Sequence, residues 1–231
     1  MSKLVWDATG ERRYETGTKH GVLYVQSNGA YPHGVAWNGL SAFTKSPEGA
    51  EPTDIYADDI KYLTLRSAEN FKATIEAYTY PDEFNECLGI STVALGAKIG
   101  QQPRKSFGFS CVTTLGNDTE LDNYGYKIHL VWGASASPSE ENYQTINDSP
   151  EAIQFSWEID TIPVEIKGFK PTAYMVIDST LFTTEAEKAK LKALEDILYG
   201  VDADDTVTPA VVATDPRLPM PNEIVSFLSG N

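Results

Sequence analysis

The sequence predicts a mostly β protein: an antiparallel β-sandwich or barrel with one flanking α-helix, an extended surface loop and a C-terminal arm. Three observations support this fold class. Short segments that alternate apolar and polar residues recur along the chain, as half-buried strands do. Clusters of turn-forming residues separate these segments. Only one stretch, near residue 190, has strong helical spacing and a helix-start signal.

Composition narrows the possible partners. The 231 residues include 18 basic and 33 acidic ones, for a formal net charge of −15. Such a chain is not suited to holding nucleic acid, because that grip comes from clustered lysine and arginine on phosphates. No apolar run is long enough to span a bilayer, and residues 1–17 lack the apolar core of a signal peptide. We therefore expect a protein made in a cytoplasm, with no membrane partner and with Cys87 and Cys111 reduced.

The N-terminal third contains short strands and one long loop. Residues 1–20 lack periodicity and are predicted as an arm or loop, and residues 21–26 as a strand. Asn38-Gly39 between apolar segments is the strongest short-range signal for a hairpin. Residues 45–59 are rich in proline, glycine and acid, which predicts a long surface loop, and residues 60–65 are predicted as the next strand.

Residues 71–78 form a clearer strand. Its polar side carries Thr74 and Glu76, and Pro81 ends it because proline has no N–H to donate to a ladder. A turn is predicted at residues 81–83. The residues predicted to face the core are Phe71, Ala73, Ile75 and Ala77.

Four later segments also alternate, namely residues 106–114, 126–132, 153–166 and 172–178. The third has the most regular pattern, and Pro163 ends or bulges it. Its apolar side is Ile153, Phe155, Trp157 and Ile159, and its polar side is Gln154, Ser156, Glu158 and Asp160. His129, within the second, is predicted at the sheet surface.

A helix is predicted from about Thr184 to Tyr199. Thr184 and Glu187 have the spacing of a capping box, in which each side chain bonds the other's backbone amide. Gly200 is a typical stop. The apolar stripe is Leu191, Leu194, Ile197 and Leu198.

The chain divides into a β domain with its helix, residues 1–200, and an extended arm, residues 201–231. The arm contains four prolines, which favour stiff, extended backbone. Ile224, Phe227 and Leu228 can form the apolar face of a short helix beginning near Asn222. We expect this face to dock, either on the same chain or on another copy.

The sequence contains no catalytic, metal-binding or cofactor-binding motif of known spacing, so no residue is predicted for those roles and no enzymatic activity is expected. One alternative stays open, a monomeric carbohydrate-binding module or hydrolase. It would pair Glu76 with Glu158 as acid and base. Its sugar platform would come from Trp37, Tyr78, Tyr80, Trp132 and Trp157, although the last two are in phase with core residues.

Several runs resemble the major tail proteins of bacteriophages with long, non-contractile tails. The resemblance is spread over most of the chain and is carried by residues 34–40, 46–52, 55–63, 73–84 and 215–223. That family implies a β-sandwich or barrel with a flanking helix. It also implies self-assembly into stacked hexameric rings that form a tail tube, through which double-stranded DNA passes without specific binding.

The resemblance further implies a virion protein, assembled in the host bacterial cytoplasm with tape measure, distal and terminator proteins as partners. Under this hypothesis the lumen is lined by Thr74, Glu76, Ser156 and Glu158, although an outer solvated face is equally compatible with them. The candidates for contacts between subunits are Pro47, Glu48, Glu51, Pro52, Asp54 and Tyr56. The candidates for arm docking are Ile224, Phe227 and Leu228.

Overall fold

The computed structural model describes residues 3–146, 148, 152–203, 206 and 212–229. Within these residues the chain forms fourteen strands and three α-helices, which confirms the mostly β fold class. The strands are β1 (Arg13–Val25), β2 (Gly34–Trp37), β3 (Leu40–Lys45), β4 (Glu48–Gly49), β5 (Pro52–Ala57), β6 (Ile60–Arg66), β7 (Glu69–Asn70), β8 (Lys72–Ala77), β9 (Ser91–Ala94), β10 (Ala97–Ile99), β11 (Phe107–Asn117), β12 (Leu121–Ala136), β13 (Phe155–Thr161) and β14 (Tyr174–Asp178). The helices are α1 (Phe84–Leu88), α2 (Glu185–Tyr199) and α3 (Pro221–Ser229).

One antiparallel sheet dominates the fold. Its strand order is β2-β1-β11-β12-β13-β8-β3, and β14 also pairs with β12. The predicted turn at Asn38-Gly39 is present, with Gly39 at a left-handed φ of 74°. The predicted hairpin is wrong, however, because β2 pairs with β1 whereas β3 pairs with β8. The turn instead joins the two ends of the sheet, which curls around a core.

Aromatic rings from the helix α1 and from three strands that are not neighbours in the sheet meet in that core. Trp37, Phe84, Phe109 and Trp157 are all at most 3% exposed. The centroids of their contacting rings lie 4.6 to 5.7 Å apart, at tilted or edge-on angles that favour aromatic pairs. Phe84 comes from α1, which follows the predicted turn at residues 81–83. This core fixes the curl of the sheet.

The opposite face of β1, β11 and β12 is covered by helices. Leu191, Leu194 and Leu198 of α2 are buried there, beside Ile128 and Trp132 of β12. The predicted helix is confirmed, including the reciprocal capping box of Thr184 and Glu187. Because the helices cover only this side, the outer face of β3, β8 and β13 is left open.

Two predictions from the N-terminal third are wrong. Residues 13–20, predicted as arm or loop, belong to β1 and pair with β11, from Arg13 opposite Asn117 to Lys19 opposite Val112. Residues 45–59, predicted as a surface loop, contain β4 and β5. β5 pairs with β6 in a hairpin that is separate from the main sheet. Both errors concern strand segments whose side chains are mostly exposed. Because these side chains do not pack in the core, the sequence shows no alternation of apolar and polar residues there.

Part of the predicted arm runs back over the domain. Tyr31 pairs with Leu218, and Val201 with Thr214. Residues 204, 205, 207–211, 230 and 231 of the arm lie outside the described part of the chain. The division into residues 1–200 and 201–231 stays a prediction.

Replacing Thr184 by alanine removes the hydroxyl that accepts a hydrogen bond from the Glu187 amide. We expect a loss of about 1 kcal/mol in the free energy of unfolding, because the Glu187 amide loses its N-cap acceptor. Urea unfolding followed by circular dichroism measures it. Lys188→Ala is the control, because it removes only an exposed ion pair with Glu185. It should lower the free energy of unfolding by about 0.5 kcal/mol at most. Equal losses in the two variants would contradict the role of the cap.

Candidate functional site

The structure brings the four predicted lumen residues together. β8 and β13 are neighbours, with Glu76 directly opposite Ser156 and Thr74 opposite Glu158. Successive side chains of a strand point to opposite faces, so these four lie on one face and Ile75 and Trp157 lie on the other. Ile75 and Trp157 are fully buried in the aromatic core. We call the face of Thr74, Glu76, Ser156 and Glu158 the polar face; its position at a lumen stays a prediction.

The surroundings of the polar face are acidic. Beside Glu76 and Glu158 lies Asp160, and the nearest cation on these strands is Lys72, opposite Asp160. The Lys72 ammonium is 2.9 Å from a Glu48 carboxylate oxygen and 3.1 Å from one of Asp160. Hydrogen bonds to these two groups raise the pKa of Lys72, which therefore stays charged. Four carboxylates, those of Glu48, Glu76, Glu158 and Asp160, against one ammonium leave the surroundings of this face with negative charge.

The β5–β6 hairpin has two unlike faces. Ile55 lies opposite Leu63, and Leu65 follows on the same side. These three side chains are 39%, 37% and 54% exposed. In the part of the chain that the structure describes, no strand outside the hairpin pairs with β5 or β6. We call Ile55, Leu63 and Leu65 the apolar hairpin face.

The other face of the hairpin is polar and internally paired. The Lys61 ammonium lies 2.8 Å from an Asp54 carboxylate oxygen, and the Thr64 hydroxyl donates to the same carboxylate at 2.7 Å. Both bonds lower the pKa of Asp54. Tyr56, opposite Lys61, is 67% exposed. Asp54, Lys61 and Thr64 therefore have polar partners within the hairpin, whereas the apolar hairpin face is partly exposed.

The other predicted contact residues lie at the start of this hairpin. Glu48, in β4, bonds Lys72 as described above, and Pro52 begins β5. Pro47 and Glu51 are exposed in the short connections on either side of β4. A contact of any of them with another subunit stays a prediction. The sequence analysis did not single out the apolar hairpin face, although the alternation of Leu63 and Leu65 was visible in the predicted strand of residues 60–65.

The predicted arm residues pack on their own chain. Ile224 is 1% exposed, and Phe227 and Leu228 are half-buried in the cluster formed with α2. The Lys190 ammonium donates to the Leu228 carbonyl at 2.9 Å. Of the two arrangements left open by the sequence, docking on the same chain is the one present for these three residues.

The residues proposed for a sugar platform do not assemble into one. Trp37, Trp132 and Trp157 are at most 3% exposed, and Tyr78 is 53% exposed. Trp157 and Glu158 point to opposite faces of β13, so no cleft lined by both can form. Among the described residues, no group of three or more His, Cys, Asp or Glu side chains is placed to hold a metal ion.

His129 is also not where the sequence predicted it. It is 3% exposed rather than at the sheet surface, because it points inward from β12 in phase with Val131. Each of its ring nitrogens contacts a hydroxyl group, at 2.8 Å for Thr113 and 2.6 Å for Tyr174. Within the described residues, no helix combines the length and apolar character needed to cross a bilayer.

Comparisons with solved structures give distant likenesses only. No protein-family model matches the chain, and no curated protein matches its sequence. The chain is similar to one in the cryo-EM structure of an extracellular contractile injection system, the PVC sheath–tube complex in its extended state. The TM-score is 0.34 and the identity 11%, over 69% of this chain and 88% of that one. A likeness at this level carries no information on function, so function is inferred from the contacts described above.

The two faces of β8 can be compared directly by substitution. Glu76→Gln combined with Glu158→Gln should change the free energy of unfolding by at most about 0.5 kcal/mol, since surface substitutions rarely cost more. Ile75→Ala, between them in the ladder, should cost about 2–5 kcal/mol through the cavity it leaves. Urea unfolding of the three proteins measures both. A large loss in the glutamine variant would mean that the polar face is needed for folding.

Proposed function

We propose that this protein is a structural subunit that assembles with copies of itself into rings and a stacked tube, as the tail tube of a bacteriophage. The apolar hairpin face carries the proposal, since its three side chains are 37% to 54% exposed among the residues that the structure describes. The resemblance of the sequence to phage tail proteins supports the same role. Such a role requires no catalytic group, cofactor or metal.

The hairpin favours a contact with another protein. A lone two-stranded hairpin is only marginally stable in water, and contiguous exposed apolar side chains are typical of interaction sites. Ile55, Leu63 and Leu65 lie side by side, and Asp54, Lys61 and Thr64 on the reverse are paired with one another. A second copy of the chain is the partner that a homo-oligomer supplies without any other gene product. We infer that the hairpin reaches a neighbouring subunit, within a ring or between rings.

The polar face suits the wall of a DNA conduit. It lies on the outer face of the sheet, on strands other than the three that α2 and α3 cover, and its charge is negative. Phosphate groups would be repelled rather than held there, because non-specific grip on DNA comes from Lys and Arg. Joining the sheets of neighbouring copies into one barrel would also remove exposed edges such as that of β3. We propose that hexameric rings present this face to the lumen and that DNA leaves the particle through it.

The remaining parts of the proposal concern location and partners. The subunit would be made in the bacterial cytoplasm and would end in the virion tail. Tape measure, distal and terminator proteins would set the length and the ends of the tube. The net charge of −15 would keep unassembled subunits soluble.

Charging the apolar hairpin face should block assembly without unfolding the subunit. We expect Ile55→Glu with Leu63→Glu to give a folded monomer that forms no rings or tubes, since burying two carboxylates in an interface is costly. Light scattering at rising concentration and negative-stain electron microscopy follow assembly, and circular dichroism checks folding.

The matched control is Arg66→Glu, which puts an acid on the reverse face of the same hairpin, opposite Pro52. It should assemble as the unmodified protein does. Normal tubes from the double glutamate variant would exclude the hairpin contact. A protein without substitutions that stays monomeric at every concentration, with crowding agents present, would contradict self-assembly itself.

Reversing the charge of the polar face should make the tube retain DNA in its lumen. Tubes of Glu76→Lys with Glu158→Lys should hold short double-stranded DNA and protect it from nuclease, with retention that falls as salt rises. Tubes of the unmodified protein should release it. The control carries the same change in charge outside, Glu185→Lys with Asp202→Lys, both exposed. Bound DNA that stays nuclease-sensitive in the first variant would place the polar face on the exterior.

A further inference from the structure

A continuous row of hydrogen-bonded side chains crosses one end of the curled sheet. His129 is at its centre, and its members come from β3, β14, β12, β11 and β1. In order along the row they are Lys45, Tyr174, His129, Thr113, Glu15 and Lys127. The sequence gives no sign of this network, because its residues come from five separate strands.

The direction of the bonds fixes the proton on His129. The Thr113 hydroxyl donates to a Glu15 oxygen at 2.6 Å, so its oxygen can only accept from the His129 Nε2–H, at 2.8 Å. The Tyr174 oxygen accepts from the Lys45 ammonium at 3.1 Å. Its own hydroxyl proton is therefore free to be donated to His129 Nδ1, at 2.6 Å. Every group is satisfied only when His129 is neutral with its proton on Nε2.

Tyr174 connects this histidine to the base of the β5–β6 hairpin. The chain enters the hairpin segment after Lys45 and leaves it before Phe71. Lys45 donates to the Tyr174 hydroxyl, and the Phe71 ring stacks on the Tyr174 ring with centroids 4.7 Å apart and planes 6° from parallel. We call residues 45–46 and 70–71 the hairpin root. Both of its strands are therefore held by one tyrosine.

The root also has space beside it. A cavity of about 660 Å³ lies between the segment Arg66–Phe71 and the connection from β13 to β14. Phe71 and Tyr174 both line it. If their contact is released, the root can move into this space without disturbing the aromatic core.

A proton on His129 Nδ1 would break this arrangement. Tyr174 would then face two donors, the imidazolium and the Lys45 ammonium, and could no longer donate to the ring. The charged groups that face His129 are Lys45 from β3, Lys127 from its own strand and Glu15 from β1. Tyr174 and Cys111 also face it, and burial raises the pKa of both, to about 12 for Cys111, so both stay uncharged.

These surroundings oppose protonation. Burial, followed by the charge of Lys45, lowers the pKa of His129 to about 4, against the opposing effect of Glu15. Burial alone would raise the pKa of Glu15, but hydrogen bonds from Lys127 and Thr113 hold it below its ordinary value. Near neutral pH, Glu15 is therefore ionised and hydrogen-bonded to Lys127 and Thr113.

We propose that His129 is a protonation-controlled latch for the hairpin root: neutral His129 holds Tyr174 and through it the root, and protonated His129 releases both. The closed root is fully favoured above the ordinary pKa of histidine, about 6.5, and loses that preference as pH falls. The latch belongs to the single chain and does not depend on tube assembly. If the hairpin does contact a neighbouring copy, acid would loosen that contact from within the subunit.

Amide hydrogen exchange tests the latch on the isolated chain. The probe is the Ser46 amide, bonded to the Lys72 carbonyl at 2.9 Å, and the reference is the distant Val201 amide, bonded to the Thr214 carbonyl at 3.0 Å. After correction for the intrinsic effect of pH, opening at Ser46 should rise roughly twentyfold from pH 7 to pH 5. Opening at Val201 should not follow it. No rise at Ser46 beyond that at Val201 would overturn the proposal.

Three variants separate the latch from general loosening. His129→Gln should abolish the rise, whereas His33→Gln, at an exposed histidine, should leave it intact. Tyr174→Phe keeps the ring that stacks on Phe71 but loses the hydroxyl, so Ser46 should open more readily at pH 7 and respond little to acid. A rise that persists in His129→Gln, or a Tyr174→Phe protein that behaves as the unmodified one, would overturn the latch.

Nitrogen NMR of the unmodified protein gives a readout that needs no substitution. The His129 ring should show the neutral form with its proton on Nε2 at pH 7, and should titrate well below the ordinary histidine pKa of about 6.5. A proton on Nδ1 at pH 7 would reverse the inferred direction of the bonds and overturn the proposal.

Discussion

The register between β8 and β13 is the constraint on which the rest of the molecule depends. Ile75 lies opposite Trp157, and both are fully buried. A slip of one residue would turn these two outward and bring Glu76 or Glu158 into the aromatic core, where an unpaired charge is very costly. The same ladder thus sets the packing of the core and the position of the polar face, and neither can change without the other.

The surfaces of the sheet differ in what they pack against. One face of β1, β11 and β12 packs against α2 and α3, and the curl of the sheet closes the other around aromatic rings. Within the described part of the chain, two exposed surfaces differ sharply in chemistry. One is the acidic polar face and the other is the apolar hairpin face. Their opposite chemistry supports opposite roles, repulsion of an anionic polymer and attraction of another subunit.

The sequence predicted the elements whose side chains touch the core. The strands β8 and β13 and the helix α2 follow from alternation and from the capping box of Thr184, because burial imposes a period on the residues. Residues 13–20 and the strand β5 were missed, since both are held by backbone pairing and leave most side chains exposed. The turn at Asp58-Asp59 gave no hairpin signal either. The two aspartates have left-handed φ angles of 51° and 61°. Positions with such angles in hairpin turns are usually occupied by Asn or Gly.

The candidate site could be predicted only in part, for a similar reason. Alternation placed Thr74 and Glu76 on one side of their strand, and Ser156 and Glu158 on one side of theirs. That the two strands are neighbours depends on a pairing 80 residues apart, roughly, which local pattern does not encode. The burial of His129 was missed because a polar residue reaches the interior only when partners from other strands satisfy it.

The most direct measurement is an electron cryomicroscopy reconstruction of the assembled protein. We expect a hollow tube of stacked rings in which Glu76 and Glu158 line the bore and Ile55, Leu63 and Leu65 are buried against another subunit. A tube with the polar face on its outer surface, or an assembly in which the apolar hairpin face remains in solvent, would contradict it.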